Sequence, residues 1–360
     1  MSQLFKKMQS KIIILGAGLS GLTLAYYLQK ENIPFLILEA RNRVGGRINT
    51  LYGDGGKSVE MGATWFGKKH QHLNELLQEL NIGHFPQHTS GVSLFETFSF
   101  APPQKFTIPD GEEEQSYRIM GGSSNLINKL IEKIDANLIQ LNTQVNTVLF
   151  KENTIKIKTN KEELFHCEKL ISTLPPRLLT ETINFEPDLP ENIKSLCQQT
   201  HTWMGESIKF SLTYKIPFWR KNGYSGAAFS QSSISSEMHD HTNENGTFHA
   251  LKGFFNPGSV SMSQEERKKL LLAQLTKYYG EIAQEFIAYD EAVWSEEKYT
   301  YVPYDGYIRA HQNNGHALFN SFYFNGKLRI AGSETATHFP GYMDGAVCSA
   351  KEVFEQLMSE

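Results

Sequence analysis

The sequence predicts an α/β fold that is organised around a dinucleotide-binding unit near the N-terminus. A β-branched apolar run at residues 12–15 passes directly into a Gly-x-Gly-x-x-Gly turn, and a helical pattern of apolar residues follows. A second apolar run, at residues 35–38, ends in the acidic residue Glu39. Strand, glycine turn, helix, strand and terminal acid follow one another in this order in a Rossmann-like βαβ unit.

Each residue type in this unit has a physical role. Gly16 allows the tight turn, Gly18 lets backbone N–H groups approach a pyrophosphate at the positive end of the helix, and Gly21 lets helix and strand pack closely. Glu39 is placed to accept hydrogen bonds from a ribose diol. A glycine turn alone is a weak signal, so the two strands and the acid carry the prediction. The residues of the turn that we expect to hold the nucleotide are Gly16, Ala17, Gly18, Ser20 and Gly21.

Composition excludes several classes of protein. The 360 residues, 40% of them hydrophobic and 21% charged, predict an ordinary globular protein of about two domains. The 35 basic residues accompany 39 acidic ones without forming a basic block, so we expect no nucleic-acid partner. No apolar stretch is longer than a strand, and no signal-peptide pattern precedes the first strand. We therefore expect no membrane association and a cytoplasmic location.

A second glycine turn follows Glu39 and helps to identify which nucleotide the unit binds. Arg41, in Ala40-Arg41, and Arg47, in Val44-Gly45-Gly46-Arg47, stand beside this turn, and residues 59–65 then read Val-Glu-Met-Gly-Ala-Thr-Trp. These stretches resemble a signature of the flavin-containing amine oxidases, the monoamine oxidase family. The resemblance implies FAD, whose diphosphate the arginines would neutralise; the alternative is a surface loop with two solvated arginines. The FAD-binding residues implied here are Ala40, Arg41, Gly45, Gly46, Arg47, Gly62, Ala63, Thr64 and Trp65.

The next part of the chain predicts helices, loops and strands in turn. Leucines at helical spacing predict a helix at residues 73–80, and the proline-rich residues 84–117 predict hairpins or loops. Gly121-Gly122 leads into a second helix, and strand-like runs follow it. The resemblance implies that Val145, in one of these runs, brings a backbone amide to the adenine ring.

Neither histidine nor cysteine spacing predicts a metal site. His70 and His72 lie two residues apart, which is poor geometry for two ligands on one face of a helix. Cys167, Cys197 and Cys348 are far apart and have neither metal nor redox spacing. We therefore expect three reduced thiols and no bound metal.

Strict alternation predicts a strand at residues 207–213, with apolar residues on one face and Lys209 among hydroxyl side chains on the other. A solvated lysine is one interpretation of this pattern. The resemblance favours another, because in amine oxidases a lysine in this strand holds a water against flavin N5. Residues 221–247 are rich in Ser, Asn and Gly and predict a long hairpin or surface loop.

Two further segments extend the resemblance towards the C-terminus. Ser263 and Glu266 form a capping box that opens a helix, and Gly280 ends it. Trp294 is similar to a tryptophan that packs near the isoalloxazine in the family, so the resemblance places it at the flavin.

The last motif, at residues 328–347, is the most specific one. The resemblance implies that Gly332 and Glu334 lie at the ribityl and phosphate groups of FAD. It also implies that Tyr342 covers the face of the flavin. A helix that starts at Met343 would direct its N-terminus at the pyrimidine ring, where it stabilises the negative charge of reduced flavin.

The resemblance also implies a reaction. A neutral amine would bind between Tyr304 and Tyr342 and pass a hydride equivalent to flavin N5. Lys209 would act through water, oxygen would reoxidise the flavin to give hydrogen peroxide, and the imine would hydrolyse. Pro303 stands where some relatives carry a flavin-linking cysteine, so we expect non-covalent FAD. Two alternatives stay open: an FAD-dependent oxidase or desaturase of a non-amine substrate, and a non-catalytic flavin-binding protein.

The resemblance implies a Rossmann-like FAD/NAD(P)-binding fold of the three-layer ββα type, with an inserted α+β substrate domain of reduced size. We expect an FAD domain of residues 1–84, 118–198 and 299–360 and a substrate domain of residues 85–117 and 199–298. In amine oxidases a large helical insert roofs the cavity where only residues 84–117 stand here. The cavity would then be open, completed by a partner subunit in a homodimer, or shaped for another substrate.

Overall fold

Two large β-sheets organise the fold, which the computed structural model describes for residues 9–108, 114–152 and 154–359. The strands are β1 (Gln9–Leu15), β2 (Phe35–Leu38), β3 (Thr50–Gly53), β4 (Lys57–Glu60), β5 (Trp65–Gly67), β6 (His84–Pro86), β7 (Val92–Glu96), β8 (Gln104–Phe106), β9 (Ser116–Ile119), β10 (Ile139–Gln140), β11 (Val145–Phe150), β12 (Ile155–Thr159), β13 (Leu164–Ser172), β14 (Asn184–Glu186), β15 (Ile208–Tyr214), β16 (Tyr224–Ser230), β17 (Ser235–Asp240), β18 (His249–Phe255), β19 (Phe286–Val293), β20 (Phe322–Tyr323) and β21 (Leu328–Ile330). The α-helices are α1 (Leu19–Lys30), α2 (Gln71–Glu79), α3 (Ser124–Ile131), α4 (Pro176–Thr182), α5 (Glu191–Gln198), α6 (Phe218–Lys221), α7 (Gln264–Tyr279) and α8 (Met343–Met358). Within the described residues, no helix combines the length and the apolar character that crossing a membrane requires.

The first sheet has nine strands and contains the dinucleotide unit. Five strands run parallel in the order β10-β2-β1-β13-β21. Strand β13 also pairs antiparallel with β12, and β12 with β11, so a meander continues from the parallel sheet. Helices α1, α2, α3 and α8 share one apolar core with the parallel strands, and the meander shares the other core with α4 and α5. The predicted α/β fold with a Rossmann-like unit is confirmed.

Packing on both faces of β1 explains the continuous apolar run that predicted this strand. Alternate residues of β1 belong to the helical core and to the meander core, as expected for a parallel strand that is covered on both sides. The chain then turns at Gly16, where φ is +98°. A Cβ on Gly21 would lie 2.1 Å from the backbone oxygen of Gly16. Glycine is therefore required where α1 packs against the turn.

The second sheet has seven strands in the order β19-β15-β18-β17-β16-β7-β8. All of them come from residues 85–117 and 199–298, the two ranges that we assigned to a substrate domain. The apolar face of β15 packs against α7 in a separate core, and every residue of β15 is buried. Helix α7 begins with the predicted capping box at Ser263, and Gly280 follows it with φ +81°.

The described residues between 84 and 117 contribute to four short strands where the resemblance implies a helical roof. Strands β7 and β8 pair as a hairpin at the edge of the second sheet, and β6 and β9 join β5 in a small third sheet. In the described part of this interval, residues 84–108 and 114–117, no segment is helical. The hairpin predicted within residues 221–247 is present as β16 and β17.

Candidate active site

A cavity of about 550 Å³ is lined by residues of the dinucleotide unit, the second sheet and the start of α8. Most of the residues that the sequence predicts for the site lie on its wall. They are Gly16, Gly18, Ser20, Glu39, Ala40, Arg41, Gly45, Gly46, Arg47, Gly62, Ala63, Thr64, Trp65, Val145, Lys209, Trp294, Tyr342 and Met343. The fold therefore brings distant motifs of the sequence to one cavity.

The predicted site residues that do not line this cavity are Ala17, Gly21, Gly332, Glu334 and Tyr304. All except Tyr304 support the wall from behind. Ala17 donates its backbone N–H to Glu39, and Gly21 packs against the first glycine turn. Gly332, with φ +120°, begins the turn that contains Glu334.

Backbone groups build the nucleotide end of the cavity. The buried carboxylate of Glu39 accepts hydrogen bonds from the N–H of Ala17 at 2.7 Å and of Arg41 at 2.8 Å, so it is fixed at the end of β2. The two glycine turns touch each other, since a Cβ on Gly46 would lie 3.2 Å from the Cα of Gly18. A wall of bare backbone allows a phosphate to approach N–H groups closely.

Both predicted arginines line the cavity, and each is paired with a carboxylate. Arg47 forms a bidentate pair with Glu334, with N–O distances of 2.5 and 2.8 Å. Burial alone would raise the pKa of Glu334, but the charge of Arg47 holds this pKa below its ordinary value. Arg41 donates to Glu297 at 3.0 Å and to Thr300 Oγ1 at 2.6 Å. The alternative of a surface loop with two solvated arginines is wrong, because these pairs join the second glycine turn to the C-terminal segments.

Lys209 lies on the cavity wall and is only 5% exposed, so the alternative of a solvated lysine is wrong. Its Nζ donates to the backbone oxygen of Gly62 at 2.5 Å and lies 5.1 Å from the ring centre of Phe254. Burial lowers the pKa of Lys209 to about 8, and the carboxylates of Glu60 and Glu237 offset only part of this effect. A side chain with such a pKa holds or releases a proton near neutral pH.

A second buried lysine, Lys252, stands next to this site and is not identified by the sequence analysis. It lies opposite Ser211 in the β15–β18 pair, and its Nζ donates to Thr64 Oγ1 and lies 4.7 Å from the ring centre of Trp65. Burial, and then the charge of Lys209, lower the pKa of Lys252 well below its ordinary value. A lysine inside the apolar run of residues 250–255 is the sequence signal that could have identified it.

Tyr342 stands where the cavity meets solvent, with 38% of its surface exposed. Its ring centre lies 5.7 Å from Trp203 and 5.6 Å from His311, whose ring is nearly parallel to it. Trp203 lines the cavity and stacks on His311 at 3.8 Å. The sequence analysis misses Trp203 because it lies in a loop without any periodic pattern.

Comparison with known proteins decides the family to which this site belongs. The family model described as flavin containing amine oxidoreductase matches residues 19–102 and 105–358. The chain belongs to this family. This flavin amine oxidoreductase is therefore an enzyme, and FAD is its cofactor.

Curated relatives are similar to this flavin amine oxidoreductase at low identity over nearly its whole length. The flavin-containing amine oxidase A of Canis lupus familiaris is 24% identical over 458 aligned positions, which cover 97% of this chain and 85% of the relative. The probable flavin-containing monoamine oxidase A of Dictyostelium discoideum is also 24% identical, over 97% of this chain and 98% of the relative. The 458 aligned positions exceed the 360 residues of this chain, so the Canis relative carries insertions that this chain lacks.

Solved structures of amine oxidases have the same fold. A double mutant of putrescine oxidase has a TM-score of 0.85 and 22% identity, and the match covers 98% of this chain and 100% of that one. The cyclohexylamine oxidase from Brevibacterium oxydans has a TM-score of 0.83 and 20% identity, over 97% of this chain and 99% of that one. At such identities the likeness shows the fold of this chain and no more.

The residues on the cavity wall fit FAD. Gly18 and Gly46 form a surface without side chains for a diphosphate, and Glu39 offers an acceptor for a ribose. Buried Trp294, whose Nε1 donates to Met61 O at 2.7 Å, gives a flat aromatic wall. None of the described wall residues is a cysteine that could bond to the flavin, and non-covalent FAD stays a prediction.

Of the two tyrosines predicted to orient the substrate, Tyr342 lines the cavity. Tyr304 does not lie on the cavity wall. Its hydroxyl accepts the N–H of Thr202 at 2.8 Å, and its ring lies 5.0 Å from the guanidinium of Arg177. Arg177 also donates to the backbone oxygen of Pro303 and so fixes this segment outside the wall. The ring that lies parallel to Tyr342 belongs to His311.

Proposed function

We propose that this chain oxidises an amine to an imine, which water then hydrolyses to a carbonyl compound and ammonia or a smaller amine. Oxygen takes the two electrons and two protons and leaves as hydrogen peroxide. The observation that carries this proposal is the buried Lys209 on the wall of a cavity that fits FAD and that ends at the aromatic side chain of Tyr342. Membership of a family of flavin amine oxidoreductases supports the choice of an amine.

Residues of the two glycine turns, with Glu39 and Arg47, would hold the dinucleotide part of FAD. Val145 would contact the adenine, and Trp294 would contact the ring system at the other end. When bound, FAD supplies the acceptor for the electron pair that leaves the substrate carbon. The backbone N–H groups at the start of α8, near Met343, stabilise negative charge at their end of the cavity.

Aromatic side chains would orient the substrate. The faces of Tyr342 and Trp203 attract an amine nitrogen, and their ring centres are 5.7 Å apart at the solvent side of the cavity. Phe254 and Trp65 also line the cavity and add apolar surface. Apolar surface excludes bulk water from the reacting carbon while the electron pair leaves it.

Lys209 would hold a proton in one state and accept one in the other. Because its pKa is about 8, both the ammonium and the neutral amine of Lys209 are populated near neutral pH. In the first form it donates hydrogen bonds to Gly62 O and to a water; in the second it accepts a proton from that water. This exchange serves the reduction of oxygen or the hydrolysis of the imine.

A second candidate function is FAD-dependent oxidation or desaturation of a non-amine substrate. One observation favours it: Tyr304 does not line the cavity, so the aromatic cage that would select an amine nitrogen lacks one wall. The exposure of Tyr342, 38%, also leaves the site accessible to a larger molecule.

Anaerobic spectroscopy of the FAD-loaded protein tests the proposal. The purified protein is mixed with monoamines, diamines, cyclic amines and secondary amines, and each amine is matched by the alcohol with the same carbon skeleton. We expect one class of amine to bleach the flavin absorption while its alcohol does not. Bleaching by a non-amine only would establish the second candidate function, and no bleaching by any amine would refute the first.

A further inference from the structure

Three side chains from distant parts of the sequence converge beside the first half of α8. They are His72 in α2, His338 in the loop before α8, and Cys348 in α8 itself. One ligand atom of each lies within 4.8 Å of those of the other two. Imidazole nitrogen and thiolate sulfur are the ligands that Zn²⁺ prefers in proteins.

A carboxylate lies beside the thiol of this cluster. Glu352 lies one helical turn after Cys348, and its Oε1 is 3.5 Å from the sulfur. The Nδ1 of His338 is 4.0 Å from the same sulfur. Thr337 Oγ1 contacts both Glu352 Oε1 and His338 Nδ1, so these two groups are already held on the side of the thiol.

Two buried atoms of the cluster lack a partner. Within the described part of the chain, His72 Nδ1 and Glu352 Oε2 are shielded from solvent and form no hydrogen bond. Buried polar atoms are normally satisfied, and an unsatisfied one has room for a bound water, group or ion as its partner. This observation is independent of the distances between the ligand atoms, and it concerns two of the same four residues.

We propose that His72, His338, Cys348 and Glu352 bind one Zn²⁺ ion. Zinc bonds to nitrogen and oxygen of about 2.0–2.2 Å and to sulfur of about 2.3 Å place tetrahedral ligands roughly 3.5 Å apart. The cluster must therefore contract by about 1 Å, and His338, which is exposed, can move by that amount. Four protein ligands leave no open position, so the ion is structural.

The zinc site would fix the loop that leads to the active site. Residues 336–342 connect the turn at Glu334 with Tyr342 on the cavity wall. Phe339 and Gly341 in this loop have φ values of +43° and +91°, so its backbone is bent sharply. An ion held by α2, this loop and α8 ties the loop at both sides and keeps Tyr342 in place.

We expected no metal because no short segment has the His or Cys spacing of a metal site. The ligands of this cluster are far apart in the sequence, so such spacing does not apply to them. His70 and His72 do point to different partners: the ring of His70 lies 4.5 Å from Phe339, and that of His72 lies 5.8 Å from His338. The ligands come instead from three segments that only the folded chain brings together.

Zinc content tests the proposal. The FAD-loaded protein is incubated with zinc chloride, separated from free ion by gel filtration, and analysed for zinc. We expect one zinc per chain, and a loss of at least about tenfold in zinc affinity for Cys348→Ser and for His338→Ala. Cys197→Ser, which removes a buried thiol elsewhere, should keep the ion. Wild-type protein without zinc, or a Cys348→Ser variant with wild-type zinc content, would overturn the proposal.

Cobalt gives a second measurement that does not depend on a variant that might unfold. Co²⁺ added to the zinc-free holoprotein should give a thiolate-to-cobalt charge-transfer band in the difference spectrum, which saturates at one ion per chain. A spectrum without this band would show that Cys348 is not a ligand and would also overturn the proposal. Both measurements omit the amine, so their outcome is separate from that of the anaerobic amine test.

Discussion

The two ends of the cavity that we propose for FAD are built in different ways. At the nucleotide end, glycine backbone and the fixed carboxylate of Glu39 form the wall, and they come from one short stretch of the chain. At the reacting end, side chains of β15, β18 and the segment before α8 meet, and buried Lys209 has a carbonyl as its partner. The nucleotide end therefore depends on the absence of side chains, and the reacting end depends on their burial.

Charge follows the same division. Arg41 and Arg47, at the nucleotide end, are paired with Glu297 and Glu334, respectively. At the reacting end, Lys209 and Lys252 are buried near each other, and burial lowers the pKa of both. Paired charges stabilise a fixed structure, whereas a buried charge with a lowered pKa can change its protonation state during a reaction.

The largest effect that we expect comes from adding a methyl group at the nucleotide end. In Gly21→Ala the new Cβ would lie 2.1 Å from the backbone oxygen of Gly16, and backbone cannot move aside as a flexible side chain can. We expect a loss of about 3 kcal/mol in the free energy of unfolding and loss of bound FAD, measured by denaturant titration and by absorbance. Gly258→Ala is the matched control, since a Cβ there meets no atom within 4 Å. Equal behaviour of the two variants would remove the contrast between the two ends.

A smaller effect, confined to turnover, is expected at the reacting end. Lys209→Met keeps the shape of the side chain and removes the group that holds or moves a proton. We expect reoxidation of reduced flavin by oxygen to slow by about 100-fold, the lower range for general acid–base catalysis, with FAD still bound. Lys298→Met is the control, because Lys298 also lines the cavity but is exposed. If stopped-flow traces of both half-reactions matched those of the wild type, Lys209 would have no catalytic role.

The smallest effect, for a change of one pH unit, is a dependence of stability on pH. Burial lowers the pKa of Lys209 from 10.5 to about 8 in the folded chain, so between these values the unfolded chain binds more protons. The free energy of unfolding therefore rises with pH in this window, by up to about 1.4 kcal/mol per unit for this group, and not below pH 8. Lys209→Met removes the contribution of this group to the rise, so the stability advantage of the Met variant should shrink between pH 8 and 10.5. A constant difference in denaturant titrations across this window would contradict the lowered pKa.

The sequence predicts the nucleotide end well because its determinants are local. A glycine turn, two apolar strands and Glu39 all lie within about one βαβ unit. The residue type at each position is enough to predict its local conformation. The reacting end is predicted less well. Alternation on β15 puts Lys209 on a polar face but does not show that this face is covered, and Lys252 has no local signal beyond its apolar neighbours.

Tyr304 and Trp203 show where sequence reasoning fails for a different reason. Both lie in segments without regular structure, so no periodicity predicts the direction of their side chains. Tyr304 is held outside the wall by Arg177, a contact from a distant helix. Trp203 is placed on the wall by stacking on His311. The residues next to Tyr304 and Trp203 in the sequence do not predict such long-range contacts.

The order of strands in the parallel sheet has a consequence for biosynthesis. Strand β1 pairs with β13, and β13 pairs with β21, so the sheet that starts at residue 9 is finished only by residues 328–330. Arg47 likewise can pair with Glu334 only after residue 334 has left the ribosome. Contacts between such distant residues make folding slow and leave apolar strand edges exposed meanwhile. The parallel sheet therefore stays incomplete until β21 has been synthesised, and this is the period in which chaperones are most needed.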